Sequence, residues 1–144
     1  MNAISLFHTV PDRDYLSFGA GNHFDAKAVT EMLNLRKAEV SKIAHVAPSS
    51  VRYDDDMPAA VRERLEEIAS ICNMVAGFFD GDSTKTAMWF KTPNPMLGEV
   101  TPKDMVRLGR YDKLRKFVIS ALVEHRKDQA FAKEHPRGKG TRKA

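Results

Sequence analysis

The fold of this chain is decided by residues 58–79, which read PAAVRERLEEIASICNMVAGFF. Apolar side chains recur there every three or four residues, which is the spacing of one face of an α helix. The first half is amphipathic, whereas the second half is apolar almost all round and must be buried in a core or against another chain. The sequence therefore predicts one long central helix, with Cys72 as a small apolar residue of the core. The apolar stripe consists of Val61, Leu65, Ile68, Cys72, Val75 and Phe79.

Shorter helical segments are predicted on both sides of this helix. Asp25, Asp82 and Thr101 stand where a side chain can accept a backbone N–H at a helix start. Pro48 and Pro102 suit the first turn of a helix, where a missing N–H does no harm. The predicted segments begin near residues 25, 36, 48, 82, 102 and 111, and no alternating run of strand length separates them. The predicted fold class is therefore all-α.

Composition and charge restrict the class of protein. The chain has 144 residues, a formal net charge of +4 and a single cysteine, so an intramolecular disulfide framework is excluded. No apolar run approaches the roughly 18 residues that a membrane-spanning helix needs. The first residues also lack the features of a secretory signal. We therefore expect a cytoplasmic protein that does not enter a membrane.

Signatures of catalysis and metal binding are missing from the sequence. The histidines are scattered, so none stands three or four residues from another His or Cys ligand. Neither a glycine-rich phosphate loop nor a nucleophile elbow occurs. The acidic cluster at residues 54–56 has adjacent carboxylates that point in different directions, which indicates a solvated surface and not a metal site. We expect no enzymatic activity, no cofactor and no metal. The histidines are His8, His23, His45, His125 and His135.

Positive charge is concentrated near the end of the chain. Residues 125–144 hold seven Lys or Arg and two acidic side chains, a net of +5, whereas residues 1–124 sum to −1. Because so polar a segment has little to bury, residues 124–144 are predicted to form a flexible basic tail. Such a tail is suited to contact with phosphates. It is equally explained as a solvated end of the chain that keeps the protein soluble.

The segment around His45 has the spacing of a helix-turn-helix. The small residue Ser41 permits two helices to cross closely, Val46 fills the turn, and Val51 anchors a second helix. His45 stands where such turns usually have glycine, so a left-handed or similar backbone is expected there. The second helix would present its outward side chains to a major groove. These candidate DNA-binding residues are Pro48, Ser49, Ser50, Arg52 and Tyr53.

The charge of this region leaves an alternative open. Residues 24–78 carry seven basic and nine acidic side chains, a net of −2. Since phosphate contacts favour a positive surface, the alternative is that the motif is a scaffold that binds DNA weakly or not at all.

The most specific pattern lies in residues 78–122 and resembles a known family. It consists, in order, of an acid-containing helix break (80–82), a helix ending in Trp89-Phe90, the turn TPNPMLG (92–98), a helix started by Thr101-Pro102 and a terminal helix. This order resembles the toxin-binding domain of the Xre/MbcA/ParS antitoxin family, and the resemblance extends over residues 24–123. Glu99 departs from the pattern, because the family commonly has a second glycine at that position.

The resemblance implies a fold and a function. The fold is a Xre-like helix-turn-helix bundle joined by a long helix to a small helical toxin-binding domain. The implied divisions are an irregular lead-in at 1–23, the helix-turn-helix-like domain at 24–79, the toxin-binding domain at 80–123 and the tail at 124–144. The implied function is that of a type II antitoxin, which binds a cognate toxin and occludes its active site. The toxin is expected to be a RES-domain enzyme that consumes NAD, or a related ADP-ribosyltransferase. The antitoxin is expected to form a homodimer and to repress its own operon by binding operator DNA.

Particular residues are expected to make these contacts. Two prolines flank Asn94 and stiffen the turn, so little entropy is lost on docking, and large apolar side chains around a rigid corner suit a hot spot. For Trp89 and Leu97 a place in the core is the alternative. The candidate toxin-binding residues are Trp89, Phe90, Pro93, Asn94, Met96, Leu97, Gly98, Arg107, Arg110 and Tyr111. The over-apolar end of the long helix suggests a dimer seam at Ile71, Met74 and Phe78.

A protein of another class would share much of this pattern. A stand-alone DNA-binding transcription regulator could use its C-terminal domain only to dimerise. It would depend on Arg52 and the basic tail and would have no protein partner, whereas an antitoxin would depend on Met96 and Leu97.

Overall fold

The chain is described by a computed structural model over residues 13–134, with side chains described to residue 128. Residues 1–12 and 135–144, including His8 and His135, lie outside the described residues. The all-α prediction is confirmed, because between residues 13 and 134 the model has six α helices and no strand beyond one isolated antiparallel bridge. The helices are α1 (Ala26–Leu33), α2 (Lys37–Ala44), α3 (Ala59–Phe78), α4 (Ser83–Phe90), α5 (Pro102–Arg107) and α6 (Tyr111–Glu134). None of them has the length and hydropathy needed to cross a membrane.

Helix α3 is the centre of the molecule and contacts α1, α2, α4 and α6. The predicted stripe along α3 is buried, including Cys72, and only Phe79 just past its end is half-buried. Each fully buried aliphatic side chain of this kind contributes about 1.5–3 kcal/mol relative to exposure. Burial also raises the pKa of the Cys72 thiol, as expected for a residue that acts only as a small apolar core group.

The predicted dimer seam is wrong at two of its three residues. Ile71 and Met74 are buried within the chain's own core, so neither presents a surface to a second copy. Phe78 is half-buried and packs against His125, with 5.4 Å between the ring centroids. Helices α4 and α6 both contact α3, and side chains of all three helices meet at the end of α3, where apolar residues are therefore needed on more than one face.

The predicted helix caps are confirmed at three helix starts. A carboxylate oxygen of Asp25 accepts from the backbone N–H of Ala28 at 3.0 Å. Asp82 caps α4 and Thr101 caps α5 in the same way, each at 3.0 Å. A cap of this kind contributes about 1 kcal/mol, which helps the short helices α1, α4 and α5 to form.

The segment before α1 is fixed to α3 by a polar junction. The Asp14 carboxylate accepts hydrogen bonds from the backbone of Phe18 and Gly19 and from the Asn73 side chain, while Asn73 accepts from the backbone N–H of Leu16 at 2.9 Å. Partial burial raises the pKa of Asp14, but these hydrogen bonds outweigh it and hold the pKa below its usual value. Phe18 completes the junction by entering the core.

Helix α6 continues into the segment predicted to be a flexible tail, because it ends at Glu134. Residues 124–134 consist mostly of good helix formers such as Lys, Arg, Glu, Gln and Ala, so the helix propagates past its last core residue, Leu122. The division of the chain at residues 79 and 80 stays a prediction. Side chains from both of these segments contribute to one buried cluster.

Candidate partner-binding site

The turn between α4 and α5 is organised by Asn94. Its backbone N–H donates to the carbonyl of Val100 at 3.0 Å, and its own carbonyl accepts from Leu97 and Glu99. Its side-chain oxygen accepts from the backbone N–H of Met96 at 2.9 Å. Pro95–Leu97 thereby form a single 3₁₀ turn. Because these hydrogen bonds lie within the turn, its shape is set before any partner arrives.

Two consecutive residues of this turn have a left-handed backbone. Gly98 has φ of 82° and Glu99 has φ of 68°. A side chain at such a position costs roughly 1–2 kcal/mol, which gives a physical reason for a second glycine in related turns. Glu99 keeps the backbone geometry of the turn but carries this strain.

The turn presents one large apolar side chain to solvent. Met96 is 78% exposed, whereas Leu97 beside it is half-buried and packs on the core. Met88, in the last turn of α4, is 64% exposed. Sequence reasoning missed Met88. The sequence pattern that could have identified Met88 is its spacing on α4. It stands two residues from each of the buried Thr86 and Phe90, and it therefore lies on the opposite, exposed face of the helix.

The aromatic pair at the end of α4 divides between core and surface. Phe90 is fully buried, so its assignment as a toxin-binding residue is wrong, and its role is to anchor α4. Trp89 is half-buried and meets Phe90 edge to face, with 5.1 Å between the ring centroids. Trp89 therefore fits both predictions made for it, a core residue and a toxin-binding residue, because one part of its ring packs on the core and the rest is open to solvent.

An apolar groove lies beside Trp89, between α3, α4 and α6. Its volume is about 300 Å³. Asn94 is the one polar side chain among the lining residues, so the groove and the turn are joined at that residue. The groove is large enough for an apolar side chain of a partner. Its main lining side chains are Phe78, Phe79, Trp89, Asn94, Phe117 and Ala121.

Of the four remaining candidates, Pro93 is exposed in the turn, and the three between the end of α5 and the start of α6 differ in their availability. Arg107 donates through Nε to Asp104 at 2.7 Å, a hydrogen bond that lowers the pKa of the Asp104 carboxyl. Tyr111 is half-buried, and the Arg64 guanidinium covers its ring. Arg110 is exposed and has no ion-pair partner among the described residues. Arg110 is therefore the freest of the three to meet a partner.

The predicted helix-turn-helix is formed only up to its turn. His45 has φ of 59° and ψ of 43°, which is the left-handed backbone expected there. The Ser41 hydroxyl donates to the carbonyl of Val46 at 2.7 Å, and Val51 is buried. The predicted second helix is wrong, however, because Pro48–Ser50 form one 3₁₀ turn and helix resumes only at Ala59.

The side chains after this 3₁₀ turn have a physical reason to avoid a helix. The Asp54 carboxylate accepts from the Arg52 guanidinium and from the backbone N–H of Asp56, in competition with helical hydrogen bonds. Met57 precedes a proline, which disfavours helical backbone. Of the candidate DNA-binding residues, Pro48, Ser49 and Ser50 are exposed, Arg52 has its charge compensated by Asp54 and Asp56, and Tyr53 is half-buried.

The chain resembles few known proteins in the comparisons of sequence and structure. No protein-family model matches the chain, and no curated protein matches it. Among solved structures, the chain is similar to one chain of the crystal structure of the M. tuberculosis MbcT–MbcA toxin–antitoxin complex. The two chains are 27% identical, the match covers 70% of this chain and 92% of that chain, and the TM-score is 0.47. A superposition this loose establishes neither a common fold nor a common function.

Among the described residues, no group of three or more His, Cys, Asp or Glu could hold a metal ion.

Proposed function

We propose that this protein is the antitoxin of a type II toxin–antitoxin system and that the turn at residues 92–100 contacts the toxin. Met96 gives the main support, because this large apolar side chain is 78% exposed on a turn whose backbone is already fixed. A rigid turn loses little entropy on binding. Covering a methionine contributes about 1.5–3 kcal/mol, which is the size expected of a hot-spot residue.

The groove beside Trp89 supplies the complementary half of the contact. Met96 projects from this protein, whereas the groove of about 300 Å³ receives an apolar side chain of the toxin. Projecting and receiving features in one surface suit a specific interface, since hot spots pair with hot spots on the partner. Asn94 belongs to both the turn and the groove, so the two features are contiguous.

The finer parts of the proposal come from the family resemblance. The toxin is a RES-domain enzyme that consumes NAD, and the antitoxin occludes its active site without a cofactor. The antitoxin acts in the cytoplasm as a homodimer and represses its own operon by binding operator DNA. If occlusion is the mechanism, adding the antitoxin to the purified toxin stops NAD consumption, and excess NAD slows the onset of inhibition.

The test is co-expression with the protein encoded by the adjacent reading frame. The wild-type chain should restore growth and elute together with that protein. Met96→Asp should weaken the complex at least ~10-fold, because it places a charge in a desolvated contact. Ala38→Asp is the control, since it adds the same charge to an exposed position of α2. A neighbour that the wild type neither binds nor neutralises refutes the proposal.

The alternative of a stand-alone DNA-binding regulator has a different outcome in the same experiment. It has no protein partner, and Arg52→Ala abolishes binding to operator DNA while Met96→Asp leaves that binding unchanged. The ion pair of Arg52 with Asp54 at 2.6 Å already occupies the guanidinium, and this weakens the case for Arg52 as a phosphate contact.

A further inference from the structure

A second surface feature lies at the opposite end of α5 from the Met96 turn. It is a cleft of about 350 Å³ between the end of α2 and the junction of α5 with α6. Its lining includes Lys42, His45, Arg107, Leu108 and Tyr111. The cleft therefore draws side chains from the region before α3 and from the region after it.

The lining of the cleft contains basic side chains and no acidic one. Lys42 and His45 make no ion pair with any residue between 13 and 128. Arg107 uses its Nε for Asp104, and Glu39 lies close enough to Arg107 to help raise the pKa of its guanidinium. Arg110 stands between the lining residues Gly109 and Tyr111, and it adds an exposed basic side chain with no ion-pair partner among the described residues. An anionic ligand is the natural complement of this charge.

The cleft differs from an ordinary phosphate-binding surface because it also contains an exposed apolar side chain. Leu108 lines the cleft and is 56% exposed, which makes it one of the few large apolar side chains left open to solvent in the described part of the chain. A nucleic-acid backbone offers charge but no apolar surface that would cover a leucine. An acidic protein segment that also carries an apolar residue fits both properties.

The position of the cleft connects it to the proposed toxin contact. Helix α5 has six residues and therefore rises only about 9 Å between the side of the Met96 turn and the cleft. An interface of ordinary size, burying roughly 800 Å² on each side, is large enough to include both. We infer that the cleft binds an acidic, partly apolar segment of the same toxin that covers Met96. The inference rests on the proposed function.

Charge reversal in the cleft tests the inference against a matched control. Lys42→Glu should slow association with the toxin about 10-fold at low salt and flatten the salt dependence of the rate, because rim charges act mainly on association. Lys27→Glu makes the same change of charge on the exposed face of α1 and should have a much smaller effect. Lys42→Gln serves as a second variant, since a glutamate near a helix C-terminus is itself unfavourable.

The role of Leu108 is tested separately. Leu108→Ala should raise the dissociation rate about 10-fold with little change in association, since it removes apolar contact and leaves the charge intact. Equal effects of Lys42→Glu and Lys27→Glu, together with an unchanged dissociation rate for Leu108→Ala, overturn the inference while leaving the proposed function standing. A wild-type chain that binds no toxin overturns both. Variants that bind the toxin normally but lose affinity for duplex DNA assign the cleft to nucleic acid and overturn the inference.

Discussion

The guanidinium of Arg64 lies over the ring of Tyr111, 4.3 Å from its centroid. The same guanidinium donates through Nε to the carbonyl of Ile43 at 2.8 Å and pairs with Glu67. Arg64 is on α3, Ile43 is in α2, and Tyr111 starts α6. A single side chain therefore joins three helices at the cleft end of the molecule.

We expect Arg64→Lys to lower the free energy of unfolding by about 1–2 kcal/mol, because lysine keeps the charge but loses the planar stack and the forked donor. Urea denaturation of the two proteins measures the difference. Arg52→Lys is the control, since Arg52 forms a solvent-exposed ion pair of the kind that contributes about 0–1 kcal/mol. Equal losses in the two variants would show that the three-helix junction has no special role.

Glu99→Gly should stabilise the protein by about 0.5–1 kcal/mol, because it removes left-handed strain at φ of 68°. The reciprocal change, Gly98→Ala, should destabilise it by about 1 kcal/mol. A Cβ at Gly98 would meet nothing within 4 Å, so any loss reports backbone conformation and not a clash. Thermal unfolding of both variants checks the pair, and a destabilised Glu99→Gly protein contradicts the expectation.

Asn94→Ala should weaken toxin binding more than it weakens the fold. The substitution removes the hydrogen bond to the backbone of Met96, which loosens the turn and adds an entropic penalty to docking. The loss of folding stability should be about 1 kcal/mol. Asn94→Asp keeps the acceptor oxygen and should retain most of the affinity. Calorimetric titration against the toxin separates the two variants, and equal affinities for them would mean that the side-chain hydrogen bond does not hold the turn.

The Asp14 junction should make stability depend on acid pH. Hydrogen bonds lower the pKa of Asp14 in the folded chain below its usual 3.8, so its contribution is present above that value and is lost as the pH falls through the lower folded pKa. Wild type should therefore exceed Asp14→Ala in urea resistance at neutral pH, and the difference should shrink below about pH 4. A difference that is the same at pH 7 and pH 2 contradicts this assignment.

The long helix and the caps were predictable because they depend on local information. The spacing of Val61, Leu65 and Ile68 fixes one face of α3, and a capping side chain such as Asp82 acts within three residues of its own position. The left-handed backbone at His45 was also predictable, since the turn geometry demands it whichever residue stands there.

The errors at Ile71, Met74 and Phe90 concern contacts between distant segments, whereas the error after Pro48 is local. The apolar end of α3 indicates burial but not what covers it, so the sequence predicts a dimer contact at Ile71 and Met74, whereas both are buried within the chain's own core. Phe90 and Trp89 are adjacent in sequence, and only the packing of α4 sends the first inward and leaves the second half open. After Pro48 the local signals compete, and the carboxylate of Asp54 prevails over helix propensity.

The hydrogen bonds of Asn94 close the turn on itself, and the Met96 side chain on that turn projects away from the core. Replacing an exposed side chain of this kind changes folding stability by no more than about 0.5 kcal/mol. Mutations at Met96 are thus nearly free of structural selection. If Met96 contacts the toxin as proposed, recognition can change from one partner to another while the helical scaffold stays the same, and related pairs that no longer bind one another can evolve.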